Sequence, residues 1–97
     1  TLVFKVMNKM FALSSLDKWE KGEESINLKC DPEKSLELRA EFDGVNPGWH
    51  MNKRLWNTLT INNADVSDDL VRELINHSYE LVVKGLTKKA QKELENL

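Results

Sequence analysis

Two short apolar runs open the chain and are separated by polar residues. Leu2–Val6 and Met10–Leu13 consist mainly of hydrophobic, β-prone residues, and Met7-Asn8-Lys9 lies between them. Such a pair of runs around an Asn-containing connection is typical of a β-hairpin. The pattern therefore predicts two antiparallel strands at the start of the chain. The charged segment Asp17 to Ser25 that follows is expected to be an exposed loop.

A strand and a helix are predicted next, because the hydrophobic period changes at Asp31-Pro32. Ile26–Cys30 alternates apolar and polar residues, which indicates a third strand with its apolar side chains facing inward. Asp is a favoured N-cap, and Pro suits the first helical position because its missing N–H has no helical partner there. We therefore expect a helix that continues through Phe42, with Gly44 close behind its end.

The second half of the sequence repeats the order of strand and then helix. Leu55–Ile61 has the composition of a fourth strand. Ser67 is a favourable N-cap for a long helix that ends at Lys84-Gly85. The apolar residues of this helix recur at helical spacing: Leu70, Leu74, Ile75, Tyr79 and Val82. Thr87 is placed to cap a short, polar last helix, Lys88–Asn96.

These elements describe one domain, residues 1–97, of the α+β class. We expect an antiparallel sheet of about four to five strands, in the order β-β-β-α-β-α-α, with helices packed on one face. A chain of 97 residues is long enough for a single core. Such a core buries about two-thirds of the surface that the unfolded chain exposes.

The composition restricts the location and the partners of the protein. No apolar run approaches the ~20 residues that a membrane span requires, so a membrane protein is excluded. The single cysteine cannot form an internal disulfide and fits a reducing compartment, which favours the cytoplasm. The formal net charge of −2 argues against a protein that is basic overall, as dedicated nucleic-acid-binding proteins usually are.

The distribution of charge along the chain is more informative than its sum. Residues 1–16 contain Lys5 and Lys9 and no acid, and residues 45–64 contain Lys53 and Arg54 and no acid. If these two segments fold together, a locally basic face exists on an acidic protein and binds anions in a salt-sensitive manner. The alternative is that these cations are solvated and have no function.

Candidate catalytic and metal-binding residues are few. Cys30 is the only possible thiol nucleophile, and His50 is a conceivable base for it. An inward cysteine at the end of a strand more often fills space in the core. The two histidines and the cysteine have no metal-ligand spacing, and no Gly-rich phosphate loop is present. We therefore expect no enzyme activity, no metal and no small-molecule cofactor.

The segment Gly44 to Thr58 is the strongest candidate for a recognition surface. It holds two of the three tryptophans, and His50, Asn52, Lys53 and Arg54 supply hydrogen-bond donors for phosphate. Either Trp49 or Trp56 is placed to stack on a base, while the alternative is that both tryptophans close the open face of the sheet or fill the core. The predicted nucleic-acid-binding residues are Lys5, Lys9, Trp49, His50, Asn52, Lys53 and Arg54.

Several motifs in register resemble the MmcQ/YjbR family of small bacterial proteins. They are Leu2–Leu13, Asn27–Pro32, Pro47–Lys53 continuing into Trp56-Asn-Thr58, and His77–Val82. The resemblance implies a CyaY-like fold, DNA binding through a double-wing arrangement of hairpins, and a helix before residue 1 that this sequence lacks. The fold is also similar to frataxin, but the acidic ridge that binds iron there belongs to the helix that is lacking here.

Together, the residues and the resemblance predict a DNA-binding protein without catalysis. The contact is expected to be weak, largely independent of sequence, and made to the phosphate backbone by the first hairpin and by Pro47–Arg54. The alternative is a protein-interaction or chaperone-like adaptor module that uses the same surface. Salt dependence discriminates between the two, because phosphate contacts weaken steeply with salt and apolar contacts do not.

Overall fold

A tight turn at Met7-Asn8 joins the first two strands of the computed structural model, which describes residues 1–97. Both turn residues have positive φ, 47° and 66°, as a type I′ hairpin turn requires. Strand β1 (Leu2–Val6) pairs antiparallel with strand β2 (Lys9–Ser14). The predicted hairpin is therefore confirmed.

Five strands and four helices make up the fold. The chain continues through α1 (Leu16–Glu20), β3 (Ser25–Lys29), α2 (Pro32–Glu41), β4 (Val45–Pro47), β5 (Trp56–Thr60), α3 (Asp68–Lys84) and α4 (Lys88–Glu95). The strands form one sheet in the order β1-β2-β3-β5-β4, and every neighbouring pair is antiparallel. This is the α+β class that the sequence predicts.

The helices begin at the capping residues predicted from the sequence. The Asp31 carboxylate accepts from the amide of Glu33 at 2.9 Å, at the start of α2. Ser67 accepts from the amide of Leu70 at 3.1 Å in α3, and Thr87 accepts from Ala90 at 3.1 Å in α4. Each cap satisfies a backbone donor that the first helical turn leaves without a partner.

One face of the sheet carries the core, and α2 and α3 cover it. Leu38 of α2 and Leu74 of α3 belong to the same buried cluster as apolar residues from four strands and their ends: Ala12, Leu28, Cys30, Val45 and Leu59. Trp56 is 9% exposed, so this tryptophan is buried, as the structural alternative to base stacking predicts. On the other face of the sheet, β3, β5 and β4 carry the polar residues Asn27, Thr58 and Asn46 side by side.

A serine of α3 links β2 and β3 where their pairing ends. Only Ala12–Leu28 and Leu13–Asn27 are paired between these strands. Beyond them, the Ser78 hydroxyl donates to the carbonyl of Phe11 at 2.6 Å and accepts from the amide of Lys29 at 2.9 Å. The first hairpin is therefore attached to the rest of the sheet through a short ladder and through α3.

Two elements differ from the sequence prediction. Helix α1 lies inside the segment predicted to be an exposed loop, and it is held by the Trp19 indole, which donates to the hydroxyl of Ser14 at 2.6 Å. Strand β4 is a three-residue edge strand that pairs with β5. Both elements are short and depend on tertiary partners, so local periodicity does not reveal them.

Candidate nucleic-acid interface

The β1–β2 turn and the loop between β4 and β5 lie at the same end of the sheet. Ala12 pairs with Leu28 and Trp56 pairs with Lys29, so β2 and β5 both begin beside the end of β3. Strand β4 runs antiparallel to β5 and therefore ends on the same side, at Pro47. This topology brings the two acid-free segments of the sequence to one end of the sheet.

Five cations are carried at this end of the sheet. We call Lys5, Lys9, Lys29, Lys53 and Arg54 the basic end; Lys29 joins the four residues predicted from the sequence. None of them forms a salt bridge, since the two ion pairs of the protein are Lys34–Glu73 and Arg72–Asp69. Lys9 and Lys29 line one depression of about 350 Å³ together with Trp56. These charges therefore remain available for an anionic partner.

Two acids lie where α2 begins after β3 and lower the net positive charge of this end: Asp31 is the N-cap of α2, and Glu33 is in its first turn. The Asp31 carboxylate is engaged by the backbone amides of Glu33 and Lys34 at the start of α2. Glu33 and Arg54 line the same depression of about 250 Å³, and no ion pair joins them. Neither of these two carboxylates is paired with a cation of the basic end.

The β4–β5 loop is folded tightly back on its own strand. The Gly48 amide donates to the carbonyl of Trp56 at 2.8 Å, and a Cβ at position 48 would lie 2.9 Å from the Cβ of Trp56. The Lys53 ammonium donates to the carbonyl of Gly48 at 3.2 Å, which fixes the position of this cation. His50 has a left-handed φ of 57°, an uncommon conformation for a residue with a side chain.

Arg39 of α2 anchors the same loop from the helix side. Its guanidinium donates to the carbonyl oxygens of Lys53 and Trp56 and, at 2.7 Å, to the Asn57 side chain. Asn57 is buried and in turn donates to the Ser35 hydroxyl at 3.1 Å. A cation without a carboxylate partner thus connects the core to the loop that carries Lys53.

Trp49 leaves this loop and lies over the polar face of the sheet. Its amide donates to the hydroxyl of Thr58 at 3.2 Å, and the Lys18 ammonium lies 4.3 Å from the centroid of its ring. The indole is nevertheless 58% exposed. Depressions of about 350 Å³ and about 340 Å³ lie beside it, and Lys18, Ser25 and Trp49 line both. We call this region the open-face groove.

A row of polar side chains crosses the sheet under the open-face groove. Asn27 of β3, Thr58 of β5 and Asn46 of β4 are paired neighbours and therefore share one face. The Thr58 hydroxyl donates to the carbonyl oxygen of the Asn27 side chain. Asn46 donates to the backbone carbonyl of Asp43 at 3.0 Å. Each asparagine side chain uses only part of its hydrogen-bonding capacity in these contacts, so further donors and acceptors remain available to a ligand.

The seven predicted site residues thus fall into separate groups. Lys5, Lys9, Lys53 and Arg54 belong to the basic end. Trp49 and His50 line the open-face groove, with their rings in edge contact at a centroid distance of 5.5 Å. The Asn52 side chain accepts from the amide of Arg54 at 3.0 Å. The side-chain oxygen of Asn52 therefore stabilises the β4–β5 loop.

Three residues of this region were not among the predicted site residues. Lys29 alternates with the inward-facing Leu28 and Cys30, so the strand pattern already indicated its outward position. Lys18 contacts Trp49 only because α1 folds toward the open face, and Arg39 reaches the loop across β5. No local sequence signal indicates either of these long-range contacts.

The candidate nucleophile is buried in the core. Cys30 is 4% exposed, and burial raises the pKa of its thiol above the usual 9.0, with an opposing hydrogen bond from Ser35. A raised pKa keeps the sulfur protonated and weakly nucleophilic. Elsewhere, no three His, Cys, Asp or Glu side chains are grouped in a way that would hold a metal ion.

Fold and site together define an α+β protein with a helix-covered face, a polar open face and a cluster of cations at one end of the sheet. The chain belongs to the YjbR family, which residues 1–81 match. The resemblance to this family is thereby confirmed. Helix α4 lies outside the matched residues. None of the helices is both long enough and apolar enough to cross a bilayer.

Similar proteins include two from Escherichia coli. The chain is 44% identical over 90 residues to the uncharacterized protein YbdF of strain O157:H7, covering 93% of this chain and 70% of YbdF. It is 30% identical over 73 residues to the uncharacterized protein YjbR of strain K12, covering 75% of this chain and 61% of YjbR. Family membership thus brings no established activity from these relatives.

Two solved structures share the fold. The Deinococcus radiodurans protein DR2400, a DUF419 domain, has a TM-score of 0.78 and 39% identity, covering 90% of this chain and 62% of that protein. A protein from Pseudomonas syringae has a TM-score of 0.66 and 27% identity, covering 81% of this chain and 74% of its own. The chain therefore spans less than two-thirds of the length of DR2400.

Proposed function

We propose that this protein binds DNA weakly and with little sequence preference, through phosphate contacts made by the basic end. The observation that carries the proposal is topological. The β1–β2 turn and the β4–β5 loop lie at one end of the sheet, and their cations have no carboxylate partners. Phosphate contacts from lysine and arginine supply most of the affinity of nonspecific DNA binding.

The distribution of ion pairs supports this location. Both ion pairs of the protein, Lys34–Glu73 and Arg72–Asp69, are formed by residues of α2 and α3, the helices that cover the core face of the sheet. Neither pair includes a cation of the basic end. The net charge of −2 makes the rest of the protein unattractive to DNA, so only a local basic surface is available for such binding. We propose no catalysis, because the one thiol is buried and protonated. A DNA ligand also implies action in the cytoplasm of a bacterial cell.

Charge reversal tests the proposal. Lys53→Glu combined with Arg54→Glu is expected to abolish detectable binding of a labelled DNA duplex at low salt. Lys21→Glu combined with Arg72→Glu is the matched control, because it changes the net charge equally at exposed positions outside the basic end. The control is expected to retain most of the binding. Equal loss in both double variants would show that only net charge matters and would contradict the proposed site.

A protein-binding function is the second candidate, and strand β1 favours it. Leu2, Val3 and Phe4 are between 45% and 47% exposed on an edge strand of the sheet. Exposed apolar edges can pair with a strand of a partner. Binding through β1 would be insensitive to salt and to the charge reversal at Lys53 and Arg54, which separates it from the DNA proposal.

A further inference from the structure

Trp49 of the open-face groove is held in a position that suits stacking with a flat ligand. The Gly48 turn and the hydrogen bond from the Trp49 amide to Thr58 fix the backbone of this tryptophan over the sheet. The Lys18 ammonium lies against its ring, yet more than half of the indole surface is exposed. An exposed, pre-positioned indole is a favourable platform for stacking.

The floor of the groove offers hydrogen bonds in place of an apolar surface. Asn27, Thr58 and Asn46 lie side by side on adjacent strands, about 4.8 Å apart. Because the Asn27 carbonyl oxygen accepts from Thr58, its NH₂ group is directed toward other acceptors. Amide groups beside a stacking ring can bind the edge of a nucleobase. The depressions on either side of Trp49, at about 350 Å³ and 340 Å³, are of the size of small ligand sites.

Within the groove one lysine and one carboxylate balance, so the charge that favours an anionic ligand comes from the adjoining basic end. Lys18 lines both depressions, His50 lines one, and Glu23 is the only carboxylate residue among the lining residues of the pair. The β4–β5 loop also connects the groove directly to the basic end, since Trp49 and Lys53 both line a third depression. A ligand with a charged backbone and flat rings complements both surfaces at once.

We infer that the open-face groove binds a segment of single-stranded DNA, with an unpaired base stacked on Trp49 and its edge contacted by Asn27 or Asn46. The backbone of the same strand then continues over Lys53 toward the basic end. This inference rests on the proposed DNA binding and adds a ligand class to it. A fully paired duplex does not offer an unstacked base to Trp49, so single strands bind more tightly.

The experiment compares two oligonucleotides that have equal backbone charge. One is a labelled thymidine decamer, and the other is a decamer of abasic residues. Stacking contributes on the order of 1–3 kcal/mol per base, which corresponds to a preference of roughly 5- to 160-fold for the thymidine oligomer. Trp49→Ala is expected to remove this preference, and Trp49→Phe to retain part of it. Circular dichroism monitors the fold, which an exposed position should preserve.

Each outcome separates this inference from the proposed function. Equal affinity of the wild-type protein for both oligomers, or an unchanged preference in Trp49→Ala, would overturn the stacking site. If Lys53→Glu with Arg54→Glu still weakens both oligomers in that case, the phosphate contacts stand without the groove. If neither oligomer nor a duplex binds at low salt, both proposals fall together.

Discussion

The guanidinium of Arg39 donates a hydrogen bond of 2.7 Å to the side-chain oxygen of Asn57. This contact joins α2 to β5 beneath the loop that carries both Trp49 and Lys53. Asn57 is 1% exposed, so water cannot replace Arg39 as the hydrogen-bond donor to its side-chain oxygen. The position of the candidate interface therefore depends on a polar contact inside the fold.

Replacing Arg39 by Met is expected to destabilise the protein and loosen the β4–β5 loop. Methionine fills similar space but leaves the Asn57 side-chain oxygen and the Lys53 carbonyl without their donor, while the Trp56 carbonyl retains the Gly48 amide. An unsatisfied buried polar group costs about 1–3 kcal/mol. Urea denaturation measures the loss. Arg72→Met is the control, because Arg72 is exposed on α3, and a similar loss in both variants would contradict the account.

Gly48→Ala is expected to displace the same loop. The added Cβ would lie 2.9 Å from the Cβ of Trp56 and 3.0 Å from its carbonyl oxygen, and this backbone atom cannot easily move. Overpacking of this kind costs typically 1–3 kcal/mol. Gly85→Ala is the matched control, since the nearest atom there is 3.5 Å away. The midpoints of thermal unfolding are compared, and Gly48→Ala is expected to have the lower one. Equal midpoints would rule out the close approach at Gly48.

Cys30→Ala is expected to cost about 1 kcal/mol of stability, because a small buried side chain is shortened. DNA binding should not change. In the native protein, the thiol should react slowly with a bulky disulfide reagent, since burial raises its pKa and blocks access. Rapid modification of the folded protein would show that the thiol is accessible.

His77 is expected to make stability depend on pH. Its Nε2 atom accepts from the amide of Asp31 at 3.2 Å, which requires a neutral ring. Burial lowers its pKa below the usual 6.5, and the neighbouring Lys34 acts in the same direction. The unfolded state therefore binds the proton more readily, and the contribution of His77 is complete above pH 6.5 and is lost as the pH falls toward the lower folded-state pKa.

The variant His77→Gln isolates this effect. Denaturation at several values between about pH 5.5 and 7.5 should show a decrease in wild-type stability toward low pH. The decrease should be smaller in His77→Gln. The two proteins differ at this residue alone, so the difference between their profiles reports on the histidine. Parallel pH profiles would contradict the lowered pKa.

The sequence predicts those parts of the structure that depend on local patterns. The Met7-Asn8 turn, the caps at Asp31, Ser67 and Thr87, and the alternation in β3 each follow from neighbouring residues. Helix α1 and strand β4 were not predicted, because the Trp19 indole and the pairing with β5 stabilise them from a distance.

The candidate site, too, has a part that the sequence predicts and a part that only the folded structure shows. The acid-free segments around Lys9 and Lys53 are visible in the sequence, and sheet topology places them at one end. The contact between Lys18 and Trp49 joins residues from α1 and the β4–β5 loop, and it follows only from the way these elements cross the open face. Long-range packing of this kind has no local signature.

Nuclear magnetic resonance during a duplex DNA titration tests the central claim most directly. With the ¹⁵N-labelled protein at low salt, backbone signals of residues 5–9, of Lys29 and of the loop 48–55 are expected to shift together. The shifts should reverse when salt is added, because phosphate contacts release counterions. An absence of shifts with excess DNA, or shifts confined to residues 2–4 and α4, would contradict DNA binding by the basic end.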